Sequence, residues 1–101
     1  MKVFIKIHTC NYNGGIETVA MCDEDLLNKV IKEENLRIEI SKEFYGGDLI
    51  KIDDAIEILK QASYFNIVGH SIIEKAINCK LLPREGIRHI DGVPMAMKMI
   101  F

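Results

Sequence analysis

The stretch Glu43-Phe44-Tyr45-Gly46-Gly47-Asp48 most constrains what this chain can become. Two adjacent glycines after an aromatic pair mark a backbone that turns sharply or passes close to another segment. The stretch also divides the chain. Ahead of it the residues read as strands with one helix. Beyond it a helical region leads into a last hairpin.

The flanking segments follow from periodicity. Val3, Ile5 and Ile7 alternate with Lys2, Phe4, Lys6 and His8, the pattern of a half-buried strand. Asn13-Gly14-Gly15 tolerates the positive φ angles of a tight turn, so Ile16 to Cys22 is expected to return as a second strand. Pairing through that turn sets odd residues of the first strand against even residues of the second. Cys10 and Cys22 are then expected on opposite faces. Asp23, followed by Glu24 and Asp25, has the chemistry of a helix start, and Leu26, Leu27, Val30 and Ile31 make an apolar stripe ending at Glu33-Glu34-Asn35. Leu36, Ile38 and Ile40 alternate again as a third strand.

After the glycines, Asp53 or Asp54 opens a second helix that buries Ala55, Ile56, Leu59 and Ala62. Asn66-Ile67-Val68-Gly69 interrupts the helical pattern. Ser71 and Glu74 have capping-box spacing, which predicts a third helix with Ile72, Ile73, Ala76 and Ile77 inward. Ile87–Ile90 and Val93–Phe101 are strands joined at Asp91-Gly92. On that hairpin Ile90, Val93, Met95, Met97 and Met99 share a core side, and His89, Pro94, Ala96 and Lys98 share the other. Pro94 lacks a backbone donor, which predicts a sheet edge or a bulge.

The fold class expected is α+β, a single domain over residues 1–101. It has a small, mostly antiparallel sheet in the order β-β-α-β-α-α-β-β, with helices packed on one face. A chain of 101 residues buries roughly 65% of its unfolded surface, enough for a core without metal or disulfide. Three cysteines, an odd number, argue against a disulfide framework. No signal peptide and no membrane-length apolar run is visible, which predicts a cytoplasmic protein with no membrane partner.

Chemistry-bearing residues are sparse. Cys10, Cys22 and Cys79 lack the spacing of a zinc site, and no metal or cofactor is expected. Ser71 beside His70 reads better as a helix cap than as a nucleophile. Cys10 with His8 lacks a third orienting group. Asp53, Asp54 and Glu57 suit the positive end of a helix. Gly69-His70-Ser71 ahead of a helix offers backbone N–H groups to an anion. Charge is uneven: residues 1–74 carry eight basic against thirteen acidic side chains, −5, and residues 75–101 carry five against two, +3. Lys80, Arg84, Arg88, His89 and Lys98 cluster in that last quarter, a phosphate-facing surface in outline.

Met21-Cys22-Asp23-Glu24-Asp25-Leu26-Leu27, Phe44-Tyr45-Gly46-Gly47-Asp48-Leu49, Asn66-Ile67-Val68-Gly69 and Ile90-Asp91-Gly92-Val93-Pro94 together resemble the ordered motifs of a small archaeal family, domain of unknown function 424. The resemblance covers nearly the whole chain. It implies an uncharacterised protein linked to RNA or translation, with motif positions at Tyr45, Gly46, Gly47, Asn66, Gly69, Gly92 and Pro94. His-Ala-Gln often follows Gly-Val-Pro in the family, whereas this chain has Met95-Ala96-Met97. That departure weakens a catalytic reading more than a binding one.

Three functions follow as expectations. The first is a non-enzymatic domain binding RNA or a ribosome-associated protein, with Lys80, Arg84, Arg88 and Lys98 on phosphates and Tyr45 or His89 on a base. The second is a protein-interaction module or homodimer joined through the edge near Pro94–Phe101. The third is an enzyme whose pocket needs Tyr45–Asp48 and Asn66–His70 to converge.

Overall fold

The computed structural model describes residues 1–10 and 15–98. Its frame is a six-stranded mixed sheet built around one long hairpin. β1 (Lys2–Cys10) and β2 (Ile16–Asp23) pair antiparallel from Val3↔Asp23 to Cys10↔Ile16. The turn residues Asn13 and Gly14 lie outside the described residues. The register corrects the expected one: Ile5 faces Met21 and Phe4 faces Cys22, so odd residues pair with odd. Five residues rather than two separate Cys10 from Ile16, and an odd-length connection reverses the parity.

β5 (Asp48–Lys51) joins the free edge of β1, and β6 (Tyr64–Val68) lies parallel to β2. β8 (Val93–Lys98) pairs with β6, and β7 (Arg88–Ile90) closes the order β5-β1-β2-β6-β8-β7. Residues Asn66–Val68, expected to interrupt two helices, therefore form a central strand. Phe65 and Ile67 are buried on one face and Val68 on the other. A strand covered on both faces shows no alternation to read.

The two longer helices, α2 (Ile52–Gln61) and α3 (His70–Asn78), share one face of the sheet. Ala55, Ile56 and Leu59 of α2 and Ile72, Ile73 and Ala76 of α3 bury Val3, Ile5, Val19, Met21, Ile67 and Ala96. The other face is covered by a second, two-stranded sheet, β3 (Val30–Glu33) with β4 (Leu36–Glu39), and by the one-turn helix α1 (Lys42–Tyr45). There Ile31, Ile40 and Tyr45 meet Ala20, Cys22, Val68 and Ile90.

The helix expected over Asp23–Asn35 is thus a short 3-10 turn at Glu24–Leu26 followed by the β3–β4 hairpin. Asn28 has φ 70, a left-handed backbone that stops a helix. Beyond it the pattern has period two: Ile31 is buried between exposed Val30 and Lys32. The strand expected at Leu36, Ile38 and Ile40 is β4; the element order otherwise corrects by β3 in place of a helix, α1 and β5 ahead of α2, and β6 between α2 and α3.

The last hairpin turns at Asp91 (φ 54) and Gly92 (φ 77), as the Asp-Gly pair predicts. Both its sides pack against the protein, not one. Val93 and Met95 pack towards β3–β4, while Pro94 and Ala96 are buried on the helix side. Met97, expected in the core, is 61% exposed, and Met99 lies outside the described residues. Pro94 sits on β8, inside the sheet order and not on the edge strand. It costs the β7–β8 ladder no bond. The closing pair Ile90/Val93 of a two-residue hairpin exchanges both bonds, so the next pair, His89/Pro94, faces away from β7.

Candidate functional site

Asp23 ends β2 with a carboxylate only 7% exposed. Its Oδ2 accepts from the Ser71 N–H at 2.8 Å and its Oδ1 from the Ile72 N–H at 3.0 Å. A residue from a distant strand therefore caps α3, and Ser71 lies inside the helix rather than at its cap. Gly69 makes this possible. Its φ of 126 and ψ of 150 belong to glycine alone, and a Cβ there would sit 2.6 and 2.7 Å from the Asp23 carboxylate oxygens. The Gly69 N–H donates to the Pro94 carbonyl at 2.9 Å. The N–H groups expected to receive an anion are thus already held by a carboxylate. Burial pushes the Asp23 carboxyl above its usual range, against the opposing pull of the two backbone N–H groups.

A second set of contacts joins Tyr45 to Asn66. The Tyr45 hydroxyl donates to Asn66 Oδ1 at 2.8 Å with the ring 4% exposed. Gly46 ends α1, its N–H donating to the Lys42 carbonyl at 2.8 Å. Gly47 lies against the Ile5 carbonyl so closely that any Cβ would collide with it. His8 stacks on Phe44 at 4.7 Å, and its Nε2–H donates to the Phe44 carbonyl at 2.8 Å. The Tyr-Gly-Gly and Asn66–Gly69 stretches do converge, through Tyr45 and Asn66, but in the interior rather than around a cleft.

Two buried protons mark this interior. Burial raises the Cys22 thiol from 9.0 to about 12, helped by the charge of Asp23, and raises the Tyr45 phenol from 10.0 to about 12. A thiol so raised is protonated at neutral pH and is a poor nucleophile. Both groups favour the fold while protonated, and that contribution is complete below their unfolded values. Stability measured by urea unfolding should fall as pH rises above about 9 and more steeply above about 10, where the unfolded thiol and phenol ionise. A flat profile from pH 8 to 11 would contradict this account of the two groups.

The basic residues of the last quarter do not form one patch. Arg84 is bonded to Glu74 by both nitrogens, at 3.0 and 3.3 Å. His89 and Arg84 border a shallow hollow of about 60 Å³ on the helix side. Lys98 lies over the Phe65 ring at 6.0 Å and donates to the Ala62 carbonyl at 3.4 Å. Arg88 pairs with Met95 and faces the β3–β4 side. Lys80 is exposed just after α3.

Sequence reasoning missed a groove of about 310 Å³ between β4 and the β7–β8 hairpin. Leu36, Ile38, Ile90, Met95 and Met97 line it, with Arg88 at its wall. It opens where β8 outruns its neighbour. The β7 ladder stops at Met95, while the β6 ladder continues to Lys98, so among the described residues Ala96–Lys98 have a strand on one side only. The alternation of an antiparallel ladder turns Met97's N–H and C=O to the open side. The one sequence signal for this place was the apolar run of β8.

Among the described residues, no group of three His, Cys, Asp or Glu side chains is placed to hold a metal ion. Among the same residues, no helix is long and apolar enough to cross a membrane.

The family model for a protein of unknown function (DUF424) matches residues 10–100. The chain belongs to that family. Its fold is shared by the crystal structure of an uncharacterized conserved protein from Methanopyrus kandleri, at a TM-score of 0.78 and 24% identity over 96% of this chain and 90% of the other. No curated protein matches the chain. The sequence stretches singled out above take on a physical meaning here. Asp23, Gly69 and Pro94 meet at the start of α3, and Tyr45 and Asn66 meet beneath α1.

Proposed function

We propose that this DUF424 protein is a cytoplasmic, non-catalytic binding domain of an archaeal cell, and that it holds a segment of another protein in the groove beside the open end of β8. One observation carries the reading: Met97, 61% exposed, offers an apolar side chain and an unpaired backbone edge at the mouth of an apolar groove. Exposed strand edges are templates for pairing, and proteins leave them open where a partner adds a strand. The reading is supported by the structural use of the motif residues, which are spent on capping α3 and anchoring α1.

A photo-crosslinking residue placed at Met97, in the protein expressed in its own host, should trap a polypeptide that survives ribonuclease. Ile38→Asp should reduce that adduct by about tenfold, since a charge on the groove floor must be desolvated by the occupant. Capture unchanged by Ile38→Asp would refute the groove. Capture of a second copy of the same chain would make the partner a homodimer mate.

A second reading, RNA or ribonucleoprotein binding linked to translation, is favoured by the exposure of Lys80, Arg84, Arg88 and His89. It predicts a ribonuclease-sensitive adduct from a crosslinker at Lys80 and an affinity falling steeply with salt. Its weakness is geometric: Arg88 and His89 face opposite sides of the sheet, and Arg84 is engaged by Glu74.

A further inference from the structure

We infer, resting on the groove reading, that the occupant is an extended segment that adds to β8 as a strand, with apolar side chains at alternate positions and one carboxylate set against Arg88. The strand form follows from the backbone. Met97 presents one N–H and one C=O on the open side, and a residue of an incoming strand answers both at once. Such a strand points every second side chain at the groove floor, where Leu36, Ile38, Met95 and Met97 take apolar groups.

The carboxylate follows from charge. The ion pairs among the described residues are Lys60–Glu57, Lys75–Asp53 and Arg84–Glu74. Arg88 is in none of them, although it is exposed at the wall of an apolar groove. A guanidinium beside apolar surface is well suited to bind a carboxylate through two parallel bonds. Arg88 and Leu36 also line a second hollow, bordered by Glu33 and Glu34. Those carboxylates limit the match: an acidic group is accepted at Arg88 and repelled one step further on.

The test uses two blocked peptides of alternating valine and threonine, one with a central glutamate and one with a central lysine. Each is titrated into the isotope-labelled full chain and followed by amide NMR shifts. The glutamate peptide should bind about tenfold more tightly and move the amides of Met97, Leu36 and Ile38. Arg88→Ala should erase the preference and Arg88→Glu should reverse it. Arg88 is exposed, so neither variant threatens the fold. Equal binding of both peptides at the groove would overturn the carboxylate and leave the groove reading intact. Preference for lysine would do the same and assign the selectivity to Glu33 and Glu34. Absence of either peptide from the groove would overturn the strand-addition inference, and the Met97 crosslink would then decide the groove separately.

Discussion

Gly69→Ala should cost about 3 kcal/mol or more of folding stability in urea unfolding. Two terms add. The backbone at φ 126, ψ 150 is strained by roughly 1–3 kcal/mol for any residue with a Cβ. The new methyl also displaces the Asp23 carboxylate from the Ser71 and Ile72 N–H groups it caps. Losing a cap of this kind costs about 2 kcal/mol, near the top of the usual range because the site is buried. The terms are separable. In an Asp23→Ala background the carboxylate is gone, so Gly69→Ala should cost only the backbone term. A double-mutant cycle should give a coupling of at least about 1 kcal/mol. Additive losses would mean that Asp23 and Gly69 act independently, contrary to the capping geometry.

Gly47→Ala should be of similar size and should resist rescue. Its Cβ would strike the Ile5 carbonyl oxygen, which belongs to the backbone of β1 at the point where β5 begins to pair. No side-chain deletion removes that oxygen. The strand must shift, and the Asp48↔Ile5 end of the β1–β5 ladder should open, at about 2–4 kcal/mol. Hydrogen exchange would show it as lost protection at Leu49 and Ile50, with the β6–β8 amides unaffected. A Gly47→Ala protein with native stability would mean that the Tyr-Gly-Gly stretch is not held by this contact.

These glycines show how far the sequence could be read. Tyr45-Gly46-Gly47 announced a close approach, yet the partner, Ile5, lies on another strand and no local pattern names it. Val3, Ile5 and Ile7, the faces of α2 and α3, and the Asp91-Gly92 turn were legible because each rests on short-range periodicity or turn chemistry. Asp23 was misassigned because its partners lie 48 and 49 residues away. It has the chemistry of a cap, but it caps the third helix and not the residues that follow it. Leu26, Leu27, Val30 and Ile31 imitate a helical stripe, and only the left-handed Asn28 and the Ile31–Ile38 pairing break it. The groove was hidden for the same reason. Leu36 and Ile38 meet Met95 and Met97 only after the small sheet folds across the large one.

The residues divide along these lines. Asp23, Gly69 and Pro94 hold α3 to the sheet, and Tyr45 and Asn66 hold α1, while Met95, Met97 and Arg88 border the surface proposed to bind. The most direct test is crosslinking from Met97 in two variants, Asp23→Ala and Ile38→Asp, below their unfolding temperatures. The account predicts that Asp23→Ala lowers stability by about 2 kcal/mol with the adduct retained, and that Ile38→Asp reduces the adduct by about tenfold. Retention in Ile38→Asp together with loss in folded Asp23→Ala would contradict it and return the motif residues to the binding site.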